Sequence, residues 1–346
     1  MNEPIVSIYV PTYEPHPPYL QEALASIQNQ TEGRFEVFIH DDASSSDVRS
    51  MVAPFLEDGR FHFVRSEEHR GIGGNWNACL QYGSSPFIQY LFQDDVWYPT
   101  YLIQALRVLL RSDRVGFVAS EHQYRYEEDI PVASFYKSLP NLRRSLLRPE
   151  WQEGRGVLLL WLRYALNPNL IGEPSFVMIR RTAMYATGMF AEDMPQFLDC
   201  DYWVRLLLRT DFAYLPEESG IFRVHRKGTS FRNFESGDGA FDRFRCLEKL
   251  RACVPQRSEE EKILREVWDQ SFTEVIGHVV NRLLQGRRIG KGAWLFLHYL
   301  TRRPFFALKV CLRYGTQASA RWWRKALQAM FLKAQSPLPP PSLPRA

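Results

Sequence analysis

Residues 69–99 read HRGIGGNWNACLQYGSSPFIQYLFQDDVWYP. The spacing predicts a helix over 74–82, and the apolar run from Phe87 to Phe92 predicts a buried strand that runs straight into Asp94-Asp95. Downstream, Pro99 opens an amphipathic stretch to Leu110, and Val115 to Ala119 is a further strand. Upstream, Ile5 to Val10 is a short apolar strand ended by Pro11. Leu20, Ala23, Leu24 and Ile27 have helical spacing within 18–30. Phe35 to Ile39 is a second strand that ends at His40-Asp41-Asp42, Val48 to Leu56 suits a helix, and Phe61 to Val64 is a third strand. Strands and helices alternating at this spacing predict an α/β fold, a mainly parallel sheet with helices on both faces.

Polar and acidic residues gather just after the carboxyl ends of these strands, the edge at which open α/β sheets bind ligands. They are Pro11-Thr12-Tyr13-Glu14, Asp41-Asp42 and Asp94-Asp95. Two adjacent carboxylates repel each other unless a cation or hydrogen bonds compensate. Mg²⁺ and Mn²⁺ choose oxygen ligands and often take one or two carboxylates, leaving the rest to water and phosphate. By itself such a pair can also do no more than begin a loop.

The ordered set Pro11-Thr12-Tyr13, Asp41-Asp42, Gly71 with Asn75 and Asn77, and Gln93-Asp94-Asp95 with Trp97 and Pro99 resembles the family 2 glycosyltransferases of GT-A fold. The resemblance covers roughly residues 5–230. It implies a metal-dependent transfer from a nucleotide-diphospho-sugar donor, with a UDP- or dTDP-sugar the expected substrate and Mg²⁺ or Mn²⁺ the expected cofactor. By position, Pro11, Thr12 and Tyr13 would line the base pocket, with Glu14 near the ribose and Asp42 accepting from the imide of the base. Asn75 would lie on the donor side, Asp94 would face ribose or sugar, and Asp95 would bind the metal. Arg70 would help with phosphate.

The second half supplies a base. FLDCDYWVRLLLR, residues 197–209, reads as a helix with Trp203, Leu206 and Leu207 on its apolar side and Asp199 and Asp201 at its amino end. The helix dipole favours carboxylates there in any case. The segment is similar to the family's acidic motif ahead of a Trp-containing helix, which implies Asp199 as general base, with Asp201 the alternate, and an inverting attack. Phe222-Arg223-Val224-His225, followed by Thr229 and Ser230, resembles a later family motif. It implies metal or diphosphate contacts for His225 and positive charge from Arg223.

The 346 residues are 45% hydrophobic, enough for a sizeable core. The five cysteines are scattered without paired metal spacing, and the amino-terminal MNEPIVSIYVPTYEP lacks the basic-then-apolar run of a secretion signal, so a cytoplasmic setting is expected. No run approaches the ~20 apolar residues of a spanning helix. Net charge of +4 conceals an asymmetry: after Glu274 there is no Asp or Glu, yet thirteen Lys and Arg follow. The expected organisation is a catalytic domain over 1–235, a helical basic-aromatic region over 236–333 and a Pro-rich tail over 334–346. Basic residues interleaved with aromatics across 285–333 suit an anionic membrane surface, with a helical cap as the alternative and nucleic acid disfavoured by the acidic body. That placement and the family analogy make a glycan or lipid-linked glycan the expected acceptor, with Trp151 and Trp161 either stacking on sugar or buried.

Other readings fit less well. Gly71-Ile72-Gly73-Gly74-Asn75-Trp76 begins like a dinucleotide fingerprint but lacks its last glycine. Gln317 to Trp322 has one residue too many for a processive-synthase signature, and spanning helices are missing, so single-sugar transfer is expected. A nucleotidyltransferase would need a glycine-rich basic loop after the first strand, where PTYEPHPP stands. A catalytically inactive nucleotide-binding protein on the same fold is the rival outside the enzymes, and the presence of Asp42, Asp95 and Asp199 tells against it.

Overall fold

The computed structural model describes residues 3–126, 133–226, 228 and 238–284. The basic-aromatic stretch beyond 284, the Pro-rich tail, Thr229 and Ser230 lie outside the described residues. In chain order the first half contains β1 (Val6–Thr12), α1 (Pro17–Gln28), β2 (Phe35–Asp41), α2 (Val48–Val52), β3 (Phe61–Arg65), α3 (Gly71–Cys79), β4 (Phe87–Tyr90), β5 (Val96–Trp97), α4 (Tyr101–Arg111) and β6 (Val115–Tyr126). The second half adds α5 (Ala133–Leu146), β7 (Glu150–Gln152), α6 (Gly154–Arg163), β8 (Val177–Arg180), α7 (Arg181–Thr187), α8 (Leu198–Leu207), β9 (Asp211–Val224), α9 (Asp238–Cys253) and α10 (Glu259–Leu284).

One sheet runs in the order β3-β2-β1-β4-β8-β6-β9-β5, with β7 also paired to β9. β1 to β4 are mutually parallel, as the alternating pattern predicts. β8 enters antiparallel between β4 and β6, so the sheet is mixed past its middle. The parallel register sets Thr12 beside Asp41 and Asp41 beside Arg65, which brings the loops after β1, β2 and β3 to one edge.

β1 is buried on both faces, which explains its continuous apolar run. Its alternate residues feed two cores: Tyr9 joins Trp161, Trp203 and Phe212 on one side, while Ile8 and Val10 join Leu24, Leu102 and Leu106 on the other. Phe244, Trp268 and Phe272 of α9 and α10 belong to the first of these cores, so the helices after residue 237 pack onto the body that carries the sheet.

Several boundaries differ from the sequence reading: β1 runs through Pro11 to Thr12, β4 stops at Tyr90 and α2 at Val52. α3 starts at Gly71, three residues early, because the Asp42 carboxylate accepts from the Arg70 and Gly71 N–H groups and satisfies that helix end from another loop. β6 continues from Ala119 to Tyr126. The polar Glu121-His122 pair reads as a departure from the sheet, yet both side chains are buried among ionic partners, and pairing with β9 carries on past them.

Candidate active site

The expected donor side lies where β1 and β2 end. The half-exposed Tyr13 ring stacks on His69 with centroids 4.0 Å apart, and the Tyr13 N–H donates to Gln93 Oε1 at 2.9 Å. Asp42 is buried, its oxygens held by the Arg70 and Gly71 N–H groups and by His69 Nδ1 at 2.9 Å. Tyr13, His69 and Asp42 therefore form one contact chain. Glu14 has a left-handed backbone, φ 44°. Its N–H donates to Ser44 Oγ and its carboxylate accepts from the Ser45 N–H, a bond that also lowers its pKa. Asp41 is turned into the Ser44 hydroxyl and Arg65.

Three residues expected on the donor side, Pro11, Thr12 and Asn75, are engaged in the architecture. Pro11 and Thr12 are buried, the Thr12 hydroxyl donating to the His40 carbonyl. Asn75 joins the His40 ring at 2.7 Å to the Thr12 carbonyl at 3.1 Å, so its amide ties α3 to two strand ends rather than facing the cleft. Arg70 reaches Asp42 through its main chain.

At the β4 end, Asp94 and His225 face one another, Oδ2 to Nε2 2.9 Å, and both are partly exposed. Asp95 behind them is fully buried. Its oxygens accept from the Ser175 hydroxyl at 2.5 Å and the Arg223 N–H at 3.1 Å. Arg223 does not offer its charge to a diphosphate, as the sequence had suggested. Its guanidinium donates to Glu22 and the Asp94 carbonyl and lies 4.2 Å over the Tyr19 ring, so it clamps the acidic turn onto α1.

Burial, and then the neighbouring Asp94 charge, push the Asp95 carboxyl well above the usual carboxylate range, against the pull of Ser175 and the Arg223 N–H. Asp94 and His225 meet on the exposed side of the turn, with Asp95 behind them and the Arg223 guanidinium on the Asp94 carbonyl. Asp94 and His225 could supply one oxygen and one nitrogen to a divalent cation that takes its remaining ligands from water and phosphate. Among the described residues no group of three His, Cys, Asp or Glu side chains is placed to hold a metal ion, and direct ligation by Asp95 requires it to give up a present partner.

Asp199 and Asp201 are told apart by their contacts. Asp201 is buried and turned into Arg205 Nε at 2.8 Å, and Arg205 also donates to the Thr187 and Met189 carbonyls. The alternate base is therefore part of the packing. Asp199 is half-buried, its Oδ2 accepting from the Asn169 amide at 3.2 Å. Desolvation, with the charge of Glu173 adding to it, raises its pKa to about 6, a value suited to a general base near neutral pH. Glu173 also acts on Asp95, so Asp199 and the acidic turn share one charged neighbour.

Sequence reasoning missed Glu173 and the groups behind it: Glu121, His122, Tyr124, Arg143 and Tyr214. The available signal was the Glu-His pair ending an apolar strand. Trp161 is core, its indole N–H on the Pro168 carbonyl. Trp151 is exposed but pairs with Ala213 at the start of β9, whereas the site lies beyond the end of that strand. A cavity of about 550 Å³ lined by Glu68, His69, Arg70, Asn77 and Glu192 adjoins the Tyr13–His69 pair through His69, and neither Asp94-Asp95 nor Asp199 lines it.

Residues 7–158 match the family model described as Glycosyl transferase family 2. The chain is 30% identical over 123 residues to the UDP-Glc:alpha-D-GlcNAc-diphosphoundecaprenol beta-1,3-glucosyltransferase WfgD of Escherichia coli, covering 36% of this chain and 47% of that protein. Its fold is similar to that of S. aureus TarS 1–349 in complex with UDP, with TM-score 0.62 and 16% identity over 95% of this chain and 92% of that one. It is also similar to the mannosyltransferase PcManGT from Pyrobaculum calidifontis in complex with GDP-Man and Mn²⁺, with TM-score 0.57 and 18% identity over 96% of this chain and 88% of that one.

Proposed function

Because the chain belongs to the family 2 glycosyltransferases, we propose that it transfers a single sugar, with inversion, from a UDP- or dTDP-sugar to the hydroxyl of a lipid-linked glycan at the inner face of a membrane. What supports this reading is a half-buried carboxyl with pKa about 6, Asp199, whose charged neighbour Glu173 also acts on Asp95 of the acidic turn. Tyr13, backed by His69, gives an aromatic face for the base of the donor. Asp42 lies behind it, and would accept the imide N–H that uracil and thymine share once His69 moves off its carboxylate.

Asp199 takes the proton of the acceptor hydroxyl as that oxygen attacks the anomeric carbon, and Asn169 orients the carboxylate for it. Asp94, Asp95 and His225 would hold a divalent cation, which when bound neutralises the charge that grows on the departing diphosphate. Arg223 keeps that turn in place by holding Asp94 against α1. The E. coli relative, by its name, acts on a diphosphoundecaprenol-linked sugar, which supports a lipid-linked acceptor. The basic run after Glu274 supports a membrane setting. With the family established, the nucleotidyltransferase reading is set aside.

The test is a panel of nucleotide sugars scored by thermal shift and by donor turnover, with Mn²⁺, Mg²⁺ or chelator. Stabilisation by UDP- or dTDP-sugars, metal-dependent turnover and its loss in Asp95→Ala are expected. Equal turnover in chelator removes the metal, and preference for a GDP-sugar removes the base assignment.

A further inference from the structure

Directly behind the proposed base lies a buried cluster of charged groups with no part in the chemistry above. Arg143 of α5 is 1% exposed and donates to Glu121, through Nε at 3.1 Å and Nη2 at 2.5 Å, and to the Tyr124 hydroxyl at 3.1 Å. The Tyr124 hydroxyl donates onward to Glu173 at 2.9 Å, and His122 Nε2 is 2.8 Å from the other Glu173 oxygen. Tyr214 closes the cluster on Glu121, and Phe176 stacks on His122 at 4.2 Å. Glu121 and His122 are wholly buried. Taking four ionisable groups out of water costs several kcal/mol each before pairing, and an apolar core would have filled this space without that cost.

The cluster ends at the loop that touches the base. Asn169 donates to Asp199, the Gly172 carbonyl accepts from the Trp203 indole of α8, and Glu173 follows at once. We propose that Glu173 is a positioning residue for the transfer. Anchored from behind by His122, Tyr124 and Arg143, it pins the 169–173 loop against the amino end of α8 and keeps a fixed negative charge beside Asp199, which strengthens that carboxylate as a base. The proposal rests on the reading of Asp199 as base.

The titration of the two carboxyls agrees with this geometry. Burial alone would raise Glu173, but the charge and hydrogen bond of His122 and the charge of Arg143 outweigh it and hold its pKa at about 2. It is therefore an anion throughout the range in which Asp199, at about 6, titrates. The other charged groups around the amino end of α8 are engaged elsewhere. On α8 itself Asp201 is paired with Arg205, and on α7 Arg181 donates to Ser7 and Ser85. On α6, Arg155 and Arg163 are paired with Glu260 and Glu259. On α9, Asp242 accepts from the Gln196 N–H, Arg243 is paired with Glu274, and Cys246 lies behind Cys200. The Cys200 thiol adjoins Asp199 and lowers its pKa, opposite to Glu173.

The experiment compares pH profiles of kcat/KM for the full chain and for Glu173→Gln, Glu173→Asp and Asp199→Asn, with folding checked by circular dichroism. The parent loses activity below about pH 6. In Glu173→Gln this acidic limb moves down by roughly one pH unit, and kcat falls roughly three- to tenfold while the donor KM holds. Glu173→Asp, which keeps the charge, returns the limb toward the parent. A Glu173→Gln limb that coincides with the parent's overturns the proposal, whereas an Asp199→Asn variant with parental activity overturns the base reading instead. If Glu173→Gln does not fold, a carbon-13 carboxyl titration of the parent decides. Glu173 staying ionised while Asp199 takes up its proton supports the proposal, and Glu173 protonating at or above the pH of Asp199 ends it.

Discussion

Replacing Asp199 by Asn is expected to make the protein more stable and much less active at the same pH. The Asp199 carboxyl moves from an ordinary 3.8 to about 6 in the fold, mainly through desolvation. A rise of roughly two pH units corresponds to about 3 kcal/mol at 1.36 kcal/mol per unit. Partial exposure of the side chain brings the usable figure to about 2 kcal/mol. The sign follows from proton binding. Between pH 3.8 and 6 the native state holds this proton more tightly than the unfolded chain, so the parent loses stability as pH rises through that window and does not regain it above. Asparagine has no such titration, and its side-chain oxygen still accepts from Asn169. Urea unfolding of parent and variant from pH 3.5 to 8 should therefore give curves that meet at the acidic end, diverge up to pH 6 and run parallel beyond it. Over the same range kcat of the variant is expected to fall by about 10² to 10⁴, the usual contribution of a general base. Stability curves with a constant offset at every pH, or a variant that keeps a tenth of parental kcat, would refute the assignment.

Asp201→Asn should do the reverse: kcat within about twofold of the parent, and a loss of roughly 1 kcal/mol because the partly exposed Arg205 loses its charged partner. A kcat loss as deep as that of Asp199→Asn would move the base to Asp201. The full chain is expected to float with anionic vesicles at low salt and to be released as salt rises, while a chain ending at residue 284 stays behind. Equal flotation of the two forms removes the membrane role from the basic end.

The sheet edge was legible because its signals are local. An apolar run that stops at Asp94-Asp95, or at Asp41-Asp42, states within six residues where a strand ends and what waits there. Helical spacing in the same way located α1 and α4 to within a turn. What could not be read is which way a carboxylate points. Asp199 and Asp201 stand two residues apart on one helix, and only packing against Arg205 separates the packed one from the free one. Arg223 and Asn75 carry the right chemistry in the right motif, yet Glu22, Tyr19 and His40, distant in the chain, draw them away from the cleft. The basicity of Asp199 is harder still to read, since it arises from desolvation and from Glu173, whose charge depends in turn on residues 122, 124 and 143. A motif can therefore nominate a base, but its strength is set by charges from segments that meet only in the fold. For that reason the Glu173 variants bear on the mechanism more directly than further substitutions within the motif itself.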